Sequence, residues 1–296
     1  GDDEGSITGP RRVYPNFLLT LTIFIPANLV EYTKRKEERM KLIYEVKDRV
    51  AYITINRPEA MNAMDAEVYA ELSKAWIDVR DNTDVWVAII TGAGEKAFTA
   101  GADLKSFITR KPEKADFWLT QKDMLLNRGL EVWKPVIAAV NGYCLAGGVT
   151  LLFATDIRIA AEHAVFEISE VRRGILPGNG GTQRALRQLP YPIAMEMLLL
   201  GRRLNAQEAL TYGLINKVVP MKDLMLTAEQ YARQLCENGP LALRAIKELA
   251  IRSQSLSLEQ GLRLEQSFQE FLRTTEDAKE GPKAFAEKRK PVYQGR

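Results

Sequence analysis

Apolar positions along this chain change their spacing from one segment to the next, and each spacing predicts an element. Residues 42–46 and 50–56 alternate around Lys47-Asp48-Arg49, the pattern of a β-hairpin, and Arg57-Pro58 closes it. Met64, Val68, Leu72, Ala75 or Trp76, and Val79 recur at helical spacing, with Asp65 near the start as a capping side chain. Residues 85–90, ending in Thr91-Gly92, and residues 136–140, opened by Pro135 and followed by Asn141-Gly142, are short apolar runs that predict buried strands. Between them, residues 96–105 form a glycine-containing loop and residues 112–132 carry a largely helical pattern. An apolar helical run follows Gly147-Gly148. Beyond about residue 190 the periodicity turns helical, over 195–200, 206–210, 223–236, 240–252 and 258–271, with Pro240 suited to a first turn. Strand, helix and strand in alternation, then helices alone, predict an α/β core over 41–190 and a helical region over 191–296.

Composition narrows the class. Apolar residues make up 46% of the 296 and charged residues 27%, enough to bury a large core. A net charge of +3 calls for neither nucleic acid nor a membrane surface as a partner. Cys144 and Cys236 stand in apolar contexts without metal-ligand or redox spacing, which fits a reducing, cytoplasmic compartment. With His163 as the one histidine, a zinc site or a histidine-dependent triad has little to draw on. Residues 1–40 are expected to be a partly flexible N-terminal extension. Its apolar stretch, residues 17–30, is broken by Thr20, Thr22, Pro26 and Asn28 and falls short of the roughly 20 residues a membrane span needs. GAGEKAF (92–98) and GNGGTQR (178–184) are neither a dinucleotide fingerprint nor a phosphate loop.

The densest chemistry lies between Lys134 and Arg184. Two glycine-rich turns, at Gly147-Gly148 and at residues 178–181, bracket an acidic residue, Glu170. Glycines let backbone amides come close to a ligand. Four stretches in order, INRPEAMNAM (55–64), KAFTAGADLKSF (96–107), KPVIAAVNGYCLAGG (134–148) and ISEVRRGILPGNGGTQR (168–184), resemble the crotonase superfamily of enoyl-CoA hydratases and isomerases. The resemblance runs over roughly residues 40–296. It implies an α/β crotonase-like fold, a spiral of repeated ββα units with a C-terminal helical region that builds subunit contacts and covers part of the active site. It implies an acyl-CoA thioester substrate, coenzyme A as part of that substrate, no metal or redox cofactor, and a homotrimer or homohexamer.

The same resemblance assigns roles. The amides of Ala102 and Gly147 are expected to form an oxyanion hole. Proton removal from the acyl chain of a thioester, or addition to its conjugated alkene, pushes charge onto the carbonyl oxygen, and fixed amides stabilise that charge. Family hydratases usually carry two glutamates. At the first position this chain has Thr150, which can hold a water but cannot act as a base near neutral pH. At the second it has Glu170, the expected acid/base, with a carboxyl raised by apolar neighbours such as Ile168 and Val171. Glu167 is a candidate accessory carboxylate, with an ion-paired charge as its plainer role. One carboxylate suffices for double-bond isomerisation, and hydration stays open. Decarboxylation, hydrolysis or dehydration on the same scaffold, or non-catalytic acyl-CoA binding, are the alternatives. For the CoA moiety the resemblance points to Arg57, Ala60, Ala63 and Lys105, and to Phe285 and Lys288 in a C-terminal helix over FAEKRKP (285–291). The acyl pocket is expected along residues 107–127, where Phe117, Trp118, Met124 and Leu125 are apolar, and along the later helices. Asp103, Asp156, His163, Arg172 and Arg173 are expected to brace loops.

Overall fold

The computed structural model describes residues 40–105 and 124–296. The N-terminal extension up to residue 39 and most of the expected acyl-pocket segment, including Phe117 and Trp118, lie outside the described residues.

Strand β1 (Leu42–Lys47) pairs antiparallel with β2 (Val50–Ile55). Asp48 and Arg49 both take positive φ, 50° and 71°, as a two-residue hairpin turn requires. From β2 onward the large sheet is parallel. It adds β3 (Val87–Gly92), β5 (Val136–Val140), β7 (Ile157–Ala161) and β10 (Lys217–Val219) in that spatial order. Each of β3, β5 and β7 is followed within a few residues by a short strand of a second sheet: β4 (Ala97–Thr99), β6 (Tyr143–Leu145) and β8 (Val165–Glu167). An antiparallel strand, β9 (Arg203–Asn205), closes that sheet. Every repeat therefore advances one strand in both sheets, and the stacked repeats make the spiral. The turns between paired strands nest on one another. A Cβ at Gly142 would lie 2.2 Å from the Lys96 carbonyl, so only glycine fits there. Beside it, the Asn141 amide donates to the carbonyls of Gly92, Gly94 and Ala97 and accepts from the Gly92 amide.

All six residues of β3 are buried, because both faces of the sheet are covered. Ala88 and Ile90 belong to the core cluster of Val68, Leu72 and Trp76 from helix α1 (Ala66–Asp81), whose N-terminus Asp65 caps by accepting from the Val68 amide. Further helices among the described residues include α2 (Gly147–Leu152), α3 (Gly181–Gln188), α4 (Tyr191–Met195), α5 (Ala206–Thr211), α6 (Leu224–Cys236), α7 (Pro240–Ser253), α8 (Leu258–Arg273) and α9 (Glu276–Ala286). Val87 and Ile89 cluster with Leu224, Ala228 and Ala232 of α6 on the other face of the sheet. Among the described residues, no helix is long and apolar enough to cross a membrane.

Five expectations change. The region beyond residue 190, expected to be helices alone, also holds β9 and β10. The loop over 96–105 contains β4. Residues 124–132 hold only a 3-10 turn, Leu126–Arg128, ended by Gly129 at φ 89°, rather than a helix. The helix expected over 195–200 is α4 running into a π-helical turn, Glu196–Leu200. FAEKRKP lies mostly beyond its helix. Lys288 takes φ 54°, and Arg289 folds back onto Glu280 through two hydrogen bonds of 2.5 and 2.9 Å, which turns the chain away from the α9 axis.

Candidate active site

The two glycine-rich loops meet. Met64 donates to the Gly101 carbonyl (2.8 Å) and Asp103 donates to the Met64 carbonyl (2.9 Å), so Met64 bridges the strand-like segment around Ala102 from both sides. This pairing skips the Ala102 amide. Opposite it, Ala146 holds φ 50° and ψ −119°, a conformation few L-residues adopt, and those torsions set the direction of the following peptide and of the Gly147 amide. Neither the Ala102 nor the Gly147 N–H is spent on a hydrogen bond within the described residues. The two loops are in close contact: a Cβ on Gly101, which sits at φ +85°, would lie 2.8 Å from the Gly147 nitrogen. Helix α2 starts at Gly147, but with six residues it adds only a small dipole to those amides.

Glu170 reaches the same place from β8. It opens a 3-10 turn, Glu170–Arg173. That turn is held from behind by Glu167, whose side chain is 3% exposed and whose two oxygens accept from Arg172 (2.5 Å) and Arg203 (2.5 Å). Arg172 also donates to the carbonyls of Leu200 and Gly201. With both oxygens engaged, Glu167 does not line the cavity, and its expected accessory role finds no geometry here.

Glu170 itself is buried, and its Oε2 has no hydrogen-bond partner among the described residues. Burial raises its carboxyl above the usual carboxylate value, offset in part by backbone amides at Glu170 and Ser169 and by the charge of Arg173. A cavity of about 250 Å³ brings Glu170 together with Ala102, Gly147 and Thr150. Thr150 stands one turn along α2 from Gly147. Two larger clefts, of about 810 and 760 Å³, lie against α7 and α8 and contain none of these four residues.

The other expected residues fall elsewhere. Arg57 donates to the Ala63 carbonyl (2.6 Å) and pairs with Asp103 (3.1 Å) and Asp65 (3.4 Å), so its guanidinium ties the 57–63 loop to the Ala102 loop. Ala60 ends a 3-10 turn in that loop, and Lys105 is exposed beyond Asp103. None of Arg57, Ala60, Ala63, Lys105, Phe285 or Lys288 lines the cavity in the single chain. Leu125 is a core residue and Met124 is exposed, and neither lines the cavity. His163 Nε2 bonds the Glu95 carbonyl, and Asp156 accepts from the Val136 amide and pairs with Lys247, both as braces. Among the described residues, no group of three or more His, Cys, Asp or Glu side chains is placed to hold a metal ion. Sequence reasoning missed the lining residues Tyr69, Leu104, Arg128, Ile175, Leu176 and Asn179, and expected Arg173, which also lines the cavity, only to brace a loop. The one signal for them was Arg173, three residues after Glu170 in a segment too short for an α-helix.

A ββα spiral in which two unspent backbone amides and a buried carboxylate share one cavity defines the crotonase-like class. The chain belongs to the Enoyl-CoA hydratase/isomerase family, whose sequence model matches residues 45–296. Catalysis of that general type on acyl-CoA substrates goes with membership. The (E)-benzylidenesuccinyl-CoA hydratase of Thauera aromatica is 41% identical over 256 residues, covering 86% of this chain and 100% of that protein. The carnitinyl-CoA dehydratase of Salmonella enteritidis is 43% identical over 249 residues, covering 82% and 94%. Among solved structures, enoyl-CoA hydratase from Mycobacterium tuberculosis superposes with a TM-score of 0.80 at 37% identity, covering 86% of this chain and 99% of that one.

Proposed function

We propose that the protein hydrates the double bond of an enoyl-CoA, or removes water in the reverse direction, with Glu170 as its only acid/base. The observation that carries this reading is the Glu170 carboxyl: buried, with Oε2 unpartnered among the described residues, in one cavity with the amides of Ala102 and Gly147. In this reading the thioester oxygen takes both amides. Glu170 removes a proton from water as the water oxygen bonds to the β-carbon. The alkene pair shifts to form an enolate whose charge the amides stabilise. Glu170 then returns the same proton to the α-carbon and the carbonyl reforms. The Thr150 hydroxyl holds the water but takes no proton. The hydratase and dehydratase activities named for the two relatives support this direction of chemistry.

For the CoA part, Lys105 is our candidate for a phosphate contact, and Ala60 and Ala63 lie on the loop that would flank the pantetheine. Arg57 shapes that loop. Phe285 and Lys288 would contribute from a neighbouring copy in a trimer or hexamer.

The second reading is double-bond isomerisation, favoured by one observation: no carboxylate besides Glu170 lines the cavity among the described residues. The test is a panel of 2-enoyl- and 3-enoyl-CoA thioesters followed by absorbance and mass. A gain of one water on the 2-enoyl substrate supports hydration. Conversion of the 3-enoyl to the 2-enoyl substrate with no mass change supports isomerisation. Turnover of neither removes both readings.

A further inference from the structure

The wall beyond Glu170 is charged where a site for a plain hydrocarbon chain would be apolar. Arg173 and Arg128 line the cavity, and Glu170 is its one acid among the described residues. Arg173 follows Glu170 by three residues in a 3-10 turn, a geometry in which positions i and i+3 eclipse. Its guanidinium therefore leaves the turn on the same side as the catalytic carboxyl. The two adjacent arginines are divided in use. Arg172 is drawn away to buried Glu167 and to the carbonyls of Leu200 and Gly201. Arg173 uses one nitrogen on Ser169, at 2.9 Å to Oγ and 3.4 Å to the carbonyl, and forms no ion pair with any described residue. Arg128 is steered toward the same space by the Asn179 side chain, 3.0 Å from its Nε, and by the Tyr69 ring 5.2 Å below it.

We propose that the acyl group accepted here carries a carboxylate, bound by Arg173 just past the reacting carbons. A guanidinium presents two parallel N–H groups that match a carboxylate. The inference rests on the reading above for where the thioester lies. With the carbonyl at Ala102 and Gly147 and the α- and β-carbons beside Glu170, a substituent on or beyond the β-carbon reaches Arg173. Leu104, Ile175 and Leu176, which also line the cavity, supply the apolar wall for the rest of the acyl group.

The test is calorimetric binding of two saturated thioesters of equal chain length, glutaryl-CoA and pentanoyl-CoA, neither of which can be hydrated. Wild-type protein is expected to bind glutaryl-CoA about tenfold more tightly, the scale of one charge-assisted contact. Arg173→Met is expected to erase the difference, and Arg173→Lys to restore part of it. Equal affinities in the wild type, or a preference that survives in Arg173→Met, overturn the inference. Hydration of crotonyl-CoA by the wild type separates it from the reading beneath it. Turnover of crotonyl-CoA with equal binding of the two probes removes the carboxylate subsite and leaves the hydratase. A glutaryl-CoA preference without turnover of any enoyl-CoA does the opposite.

Discussion

Glu170 occupies surroundings that oppose the charge its chemistry uses. Burial is the largest cause of its raised carboxyl, so the folded state holds the proton over a pH interval in which the unfolded chain has lost it. Where the folded state binds more protons, stability falls as pH rises through that interval. Glu170→Gln removes the ionisation. The variant is expected to melt above wild type at about pH 8 and to converge with it below about pH 3, where the carboxyl is protonated in both states. Thermal unfolding across pH checks this. Glu167 is the opposite case, a buried carboxylate with both oxygens matched. Glu167→Gln is expected to cost about 1–3 kcal/mol in denaturant unfolding, since it removes charge-assisted bonds to Arg172 and Arg203. From sequence, Glu170 is the expected acid/base and Glu167 has an ion-paired charge as its plainer role, but the partners of that charge stay unnamed. What separates them is Arg203, 36 residues further along, which only the β8–β9 pairing brings into reach.

At the scale of elements, two glycines separate folding from function. Gly101 sits at φ +85°, and a Cβ there would meet the Gly147 nitrogen at 2.8 Å. Gly101→Ala is expected to lose about 1–2 kcal/mol of stability and to cut kcat by about 100-fold or more, because the amides are pushed apart. A Cβ on Gly147 would meet nothing nearer than the Ala102 nitrogen at 3.5 Å, an ordinary contact. Gly147→Ala is expected to fold as wild type and still lose activity, because the methyl stands where the thioester oxygen approaches Ala102. Melting curves and kcat on the same preparations distinguish the two. The hairpin, β3, β5 and α1 were legible because the hairpin alternates, β3 and β5 are apolar on both faces, and Asp65 caps α1. Strand β4 was not, since three residues carry no period. Nor was the π-helical turn after α4, whose wider winding follows no helical spacing. The end of α9 was misread because Arg289 and Glu280, nine residues apart, fold the tail back.

For the molecule as a whole, the four sequence stretches were enough to give the fold class, but the assembly and the acyl group depend on surfaces that no single stretch encodes. Helix α8 buries none of its residues, with Leu258 80% and Phe271 62% exposed, and a cleft of about 760 Å³ runs between it and α7. Apolar surface of this extent marks an interaction site. Sedimentation is expected to give three or six copies, the number the family resemblance implies, and a charge introduced at Phe271 is expected to lower it.

The most direct measurement is kcat/KM against pH for wild type and Glu170→Gln on one turned-over enoyl-CoA. The expected result is a limb above the ordinary carboxylate range in the wild type, absent from a variant at least about 100-fold slower. A variant that keeps either the limb or the rate would show that a group other than Glu170 moves the proton.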